Sequence, residues 1–267
     1  MDHVMTPIDR QTRTFAGLRK IVATLRGPDG CPWDRAQSHR SLRHHMSEEA
    51  SEAIDAIDQD DADALKEELG DLLLQILLHA QIAEEASEFR MGDVIESLAE
   101  KLVRRHPHVF DEAVAETPEA VVEQWEDIKR NERNGASALT GIPSALPALA
   151  QAQTVQRRAG NAGFAWETEE QAWKALDEEL AELRAANTPE QRRAEAGDAI
   201  FALANLARFL DVEGEEALRA TTRRFSDLFR AVEGMAGEQS VDLRETDLET
   251  KLAMWKEAKK RSLKQKA

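Results

Sequence analysis

Apolar residues recur along this chain at spacings of three and four, the mark of helices that bury one face. Ala53, Ile54 and Ile57, for example, are followed by Leu65, Leu69, Leu72 and Ile76. The periodic stretches are interrupted where Gly, Pro, Asn or Asp cluster, which predicts helices at about 9–26, 39–58, 62–87, 91–105 and 118–134. A second set is predicted at about 146–159, 169–186, 189–210, 213–236 and 247–263. Thr168-Glu169-Glu170-Gln171 and Thr188-Pro189-Glu190-Gln191 read as capping boxes, the second with Pro at the favoured first helical position. The breaker-rich stretch from Gly135 to Pro143 reads as a linker. The expected organisation is all-α, with a helical module over 1–134, a linker over 135–145 and a second helical module over 146–267.

The two sets match each other residue by residue. Gly27-x-x-Gly30-x-x-Trp33-Asp34 recurs as Gly160-x-x-Gly163-x-x-Trp166-Glu167 at an offset of 133, and Trp125-x-x-x-Lys129 recurs as Trp255-x-x-x-Lys259 at 130. Between these landmarks lie paired acidic motifs. Glu48-Glu49-x-x-Glu52 precedes Glu68-x-x-Asp71 in the first half, and Glu178-Glu179-x-x-Glu182 precedes Glu195-x-x-Asp198 in the second, at offsets of 130 and 127. An i, i+3 spacing puts two side chains on one helical face, so each motif supplies a carboxylate pair.

An antiparallel hairpin pairs positions whose numbers share one sum. Positions 52 and 68 share a sum with 49 and 71, centred on Asp60 in the polar turn 58–61. Positions 182 and 195 share another with 179 and 198, centred where the capping box of Thr188 begins. Each half is therefore expected to bring Glu49, Glu52, Glu68 and Asp71, or Glu179, Glu182, Glu195 and Asp198, to one place at the edge of an apolar core. Four like charges there repel and lose hydration unless cations compensate them. Ligands that are all oxygen suit Mg²⁺, or Mn²⁺ in its stead, over zinc or copper. One Glu-x-x-Glu in an acidic chain is an ordinary solvated face; four in register, repeated, are not. A di-iron bundle normally carries Glu-x-x-His pairs, and these motifs contain no His.

Composition narrows the class further. The formal charge of −16, from 51 acidic against 35 basic residues, argues against a nucleic-acid backbone or an anionic membrane surface as the main partner. Aromatic residues are 5% of the chain and Tyr is absent, a profile of Ala- and Leu-packed helices. The longest apolar run, 72–78, is far shorter than the roughly 20 residues a membrane span needs. Met1-Asp2-His3-Val4 lacks the pattern of a signal peptide and Cys31 is single, so a reducing cytoplasm is expected.

With the acidic motifs, Gly30-Cys31-Pro32-Trp33-Asp34 and Arg104-Arg105-His106-Pro107-His108-Val109-Phe110 together, the chain resembles the MazG family of nucleoside triphosphate pyrophosphohydrolases over nearly its whole length. The acidic motif alone is shared with helical dUTP pyrophosphatases and phosphoribosyl-ATP pyrophosphohydrolases. The resemblance implies hydrolysis between the α- and β-phosphates to a monophosphate and pyrophosphate, with Mg²⁺ on the four carboxylates and a role in nucleotide-pool housecleaning. Glu48 or Glu49 would accept the proton of the attacking water. The resemblance also points to Lys101, Arg104, Arg105 and Lys129 as holders of the outer phosphates. In the second half Asp227 and Leu228 replace the two arginines, leaving Arg223, Arg224, Arg230 and Lys259 to substitute. The first half is therefore expected to supply most of the turnover.

Trp33, Trp125, Trp166 and Trp255 are candidates to stack a nucleobase, against a plain packing role. Pro107 is read as breaking the helix before it and starting a loop. A hairpin carrying an acidic cluster needs further helices around it, and the resemblance implies a homodimer. The alternative function is a regulatory module that senses nucleotides without hydrolysing them.

Overall fold

A computed structural model describes residues 13–132 and 135–265. Among these residues the chain is helical without a strand, as the patterning requires. The helices are α1 (Phe15–Arg26), α2 (Pro32–Ala36), α3 (His39–Asp58), α4 (Ala62–Glu85), α5 (Met91–Arg105), α6 (Pro107–Phe110), α7 (Pro118–Glu132), α8 (Ala148–Asn161), α9 (Glu169–Ala185), α10 (Pro189–Phe209), α11 (Gly214–Glu238) and α12 (Leu248–Gln265). They fall into two compact units, residues 1–125 and 126–267, with the boundary inside α7.

Local chemistry fixes the helix starts. Thr14 accepts from the Gly17 amide, Ser38 caps α3 reciprocally with Ser41, and the Asp61 carboxylate accepts from the amides of Asp63 and Ala64. Thr188 and Gln191 form the full capping box at α10. At α9 the box is only half made, because Gln171 receives the amide of Glu167 rather than that of Thr168.

Two short helices, α2 and α6, escaped the periodicity. Each opens on a proline at its first position, Pro32 and Pro107. A proline there loses no hydrogen bond and its φ already suits a helix. Pro107 thus starts a helix of one turn where the sequence reading put a loop.

In the first unit α3 and α4 form the hairpin, and Val22, Leu42, Leu77, Leu78, Ala80 and Met91 make the core that holds α1 and α5 to it. In the second unit α9 and α10 form the matching hairpin around Ala172, Leu176 and Leu206. A separate cluster of Leu228, Val232, Met235, Ala236, Met254 and Ala258 joins α11 to α12. Both hairpins leave large apolar side chains exposed, Ile54, Ile57, Leu69 and Ile76 on the first and Ile200, Phe201 and Leu203 on the second.

Candidate active site

The turn at Asp58–Asp61 reverses the chain through Asp60, whose φ is +54°. This sets the α3/α4 register so that Glu49, Glu52 and Glu68 each offer a carboxylate oxygen within 4.8 Å of the others. Asp71, one turn beyond Glu68, is close enough to act on them. Burial raises the Glu49 carboxyl above its ordinary range, with further elevation from the negative charges of Asp71, Glu52 and Glu48. Glu68 is raised likewise, by desolvation first and then by Glu52, Asp71 and Glu49. Glu48 lies on the exposed side, 3.9 Å from His44 and 3.6 Å from His45.

The second hairpin repeats this geometry. Glu179, Glu182 and Glu195 bring oxygens within 4.8 Å of one another. Glu179 is raised by burial and then by Glu182, Asp198 and Glu195.

The segment ahead of α3 is bolted down by Arg26. Its guanidinium meets the Glu85 carboxylate with two nitrogens, at 3.0 and 2.8 Å, and also donates to the carbonyls of Asp34 and Gln37. That bond holds the Glu85 carboxyl below its usual range. Gly30 lets the loop pass close to α1: a Cβ there would sit 2.2 Å from the Leu25 carbonyl oxygen. Trp33 emerges half-exposed, with the His45 ring edge-on at 5.8 Å.

Met91 and Val94 anchor the start of α5 in the core, while Lys101, Arg104 and Arg105 stand at its other end, the first two exposed. Trp125 meets the His106 ring edge-on at 5.0 Å. Lys129 pairs with Glu126 on its own helix at 2.9 Å. In the second unit Trp255 packs against Phe225 at 5.0 Å beside the α11/α12 cluster, and the Lys259 ammonium lies 5.8 Å from its ring centre. Arg224 is exposed and reaches the Thr221 hydroxyl at 3.3 Å. Asp227 pairs with Arg230 at 2.9 Å.

Beside the second carboxylates opens a cavity of about 660 Å³. Glu179 and Asp198 stand at its rim, Phe164, Trp166 and Phe201 supply apolar wall, and Gln156, Asn205 and Arg208 bring polar groups to it. Trp166 was marked by the repeat. Gln156, Asn205 and Arg208 carry no signal in the sequence, since each is an ordinary residue on an amphipathic helix. No described helix is long and apolar enough to cross a membrane.

A family model described as the MazG nucleotide pyrophosphohydrolase domain matches residues 37–110, the stretch holding the first carboxylate hairpin and α5. The chain is 42% identical to the nucleoside triphosphate pyrophosphohydrolase/pyrophosphatase MazG of Thermotoga maritima, over 92% of this chain and 95% of that one. It is 38% identical to the nucleoside triphosphate pyrophosphohydrolase of Escherichia coli, over 97% and 99%. It is also 44% identical to the uncharacterized protein YabN of Bacillus subtilis, over 92% of this chain and 51% of that longer one.

Proposed function

The chain belongs to the MazG family of nucleotide pyrophosphohydrolases, and from that premise we propose that it cleaves nucleoside triphosphates to monophosphate and pyrophosphate with Mg²⁺. The observation that carries the metal is the convergence of Glu49, Glu52 and Glu68, with Asp71 beside them. Such a set is costly when unpaired, as the raised Glu49 and Glu68 carboxyls register, and its donors are all oxygen, which suits a hard divalent ion. Held by Glu49, Glu52, Glu68 and Asp71, such an ion would polarise the α-phosphorus and neutralise charge on departing pyrophosphate.

The chain's own residues do the rest. Glu48 or Glu49 accepts the proton of the attacking water. Lys101, Arg104 and Arg105 hold the outer phosphates, where charge builds as the bond to the α-phosphate breaks. Trp33, Trp125, Lys129, Arg224, Trp255 and Lys259 are the further nucleotide contacts. The uncovered apolar residues of the hairpins and Ile95, Leu98 and Leu102 on α5 support a homodimer, in which a second chain encloses the acidic cluster. The setting is the cytoplasm, and the role is removal of unwanted nucleotides from the pool.

Incubation of the protein with Mg²⁺ and each common nucleoside triphosphate tests this. Equal amounts of monophosphate and pyrophosphate, abolished by a chelator, are expected. Release of diphosphate and orthophosphate would overturn the bond assignment. Tight binding without any product would favour the nucleotide-sensing alternative.

A further inference from the structure

Trp33 is carried by a helix that cannot hold itself. α2 has five residues, too few to be stable alone, and its N-cap, Cys31, makes no side-chain cap. Arg26, at the end of α1, supplies what the helix lacks. Its Nη1 donates to the carbonyls of Asp34 and Gln37 at the C-terminal end of α2, where free carbonyls and the helix dipole favour a cation. Nε and Nη2 hold both oxygens of Glu85 on α4, at 2.8 to 3.2 Å. The Arg26 side chain is only 6% exposed, a costly place for a charge unless it is paired, as here.

The rest of the loop builds on this anchor. Gln37 donates its Nε2 to the Trp33 carbonyl at 3.0 Å, Arg35 donates to the Pro28 carbonyl at 2.8 Å, and the Cys31 amide donates to the Leu25 carbonyl at 2.7 Å. Trp33 is thereby placed with its ring against His45, whose Nδ1 is 3.6 Å from the Glu48 carboxylate. The second module has Trp166 without this clamp. At the offset of 133 Ala159 stands for Arg26, and at 127 Val212 stands for Glu85. The stretch around Trp166, 164–168, forms no helix.

We propose that Arg26 and Glu85 are positioning residues that fix α2, so that the Trp33 ring is preset beside the first carboxylate cluster to stack a nucleobase. This rests on the reading of Trp33 as a nucleotide contact. In this assignment neither side chain touches the nucleotide; both act through Trp33. The guanidinium fork serves a carboxylate and two loop carbonyls at once, which the compact ammonium of a lysine does not. A ring already held in its bound orientation loses less freedom on binding, so the clamp acts on affinity.

The test uses the full chain carrying Glu179→Gln and Glu182→Gln, so that the first module is read alone. Calorimetry with Mg²⁺ and the α,β-methylene analogue of ATP gives Kd for this chain, for Arg26→Lys, for Trp33→Ala and for both changes together. Arg26→Lys is expected to weaken binding about fivefold and Trp33→Ala about tenfold. The double change is expected to match Trp33→Ala alone, because without the ring nothing is left to position. An Arg26 that served only the fold would instead multiply with Trp33→Ala, to about fiftyfold. That product, a Kd unmoved by either single change, or no binding of the analogue overturns the assignment. If Arg26→Lys fails to fold, Glu85→Gln, at a carboxylate 38% exposed, repeats the cycle from the other end of the clamp. Its expected loss is about threefold, absent in the Trp33→Ala chain; no loss, or a loss that persists there, overturns the assignment equally. Failure of the pyrophosphohydrolase reading shows separately, as ATP that yields no pyrophosphate with the unsubstituted chain while the non-additivity persists.

Discussion

The two modules share a carboxylate hairpin and differ in what surrounds it. The first keeps Lys101, Arg104 and Arg105 on the helix after its hairpin, where the second has Asp227 tied to Arg230. The second has a cavity at its carboxylates, and the repeat shows what opens it. Ala175, Ala202 and Asn205 stand where the first module has His45, Gln75 and Leu78. A duplicated acidic frame can thus be furnished for charge in one copy and for shape in the other, with the carboxylate cluster common to both.

The largest effect that separates the modules is on turnover. Glu49→Gln/Glu52→Gln is expected to lower pyrophosphate release about 10²-fold or more, because it disables the copy with preorganised cations. Glu179→Gln/Glu182→Gln is expected to cost less. If the first variant keeps most of the activity and the second loses it, the cations on α5 are not what decides.

Next comes the glycine pair that the repeat aligns. Gly30→Ala drives a Cβ into backbone and needs α1 or the loop to move, an expected loss of about 2–3 kcal/mol. Gly163 has open space but a φ of +92°, so Gly163→Ala is expected to cost about 1 kcal/mol from conformation alone. Denaturant titration compares the two. Equal costs would mean that the loop ahead of α3 is as free to shift as its counterpart.

A smaller effect concerns the chain without metal. Glu52→Gln or Asp71→Asn removes one of four clustered charges and should raise the melting temperature in chelator by about 1–2 °C, while ending turnover at the first site. A clear fall in that melting temperature would make these side chains structural.

Much of this is legible in the amino-acid sequence. The hairpins followed from the helical period, the caps from Ser, Thr and Asp at the helix starts, and the all-α class from both. The match between halves brought the acidic pairs into view, since no single pair stands out in a chain this acidic. What stayed hidden has physical causes. The helices α2 and α6 begin on prolines, which read as breakers until the first helical position is considered. The cavity is made by small residues on several segments, and no local pattern records an absence of bulk.

The last contrast lies deeper in the hairpins. His79 in the first module aligns with Leu206 in the second, one of the most buried side chains of the chain. His79 meets His39 with Nδ1 atoms 2.6 Å apart and rings nearly parallel. One nitrogen must donate and the other accept, so the pair suits the neutral state or one shared proton and opposes a second charge. Burial lowers the His79 pKa below the ordinary 6.5, and the charge of a protonated His39 lowers it further. A folded-state pKa below the unfolded one means that the contribution is present above pH 6.5 and is lost as pH falls through the lowered folded value. The first module should therefore weaken on acidification in a way the second does not. His79→Leu copies the second module's solution. Its melting temperature relative to the unsubstituted protein is expected to rise as pH drops from 7 towards 5, then level off once His79 is protonated in the folded as well as the unfolded state. A gap between the two proteins that stays constant across that range would remove the His39–His79 pair from the list of differences between the modules.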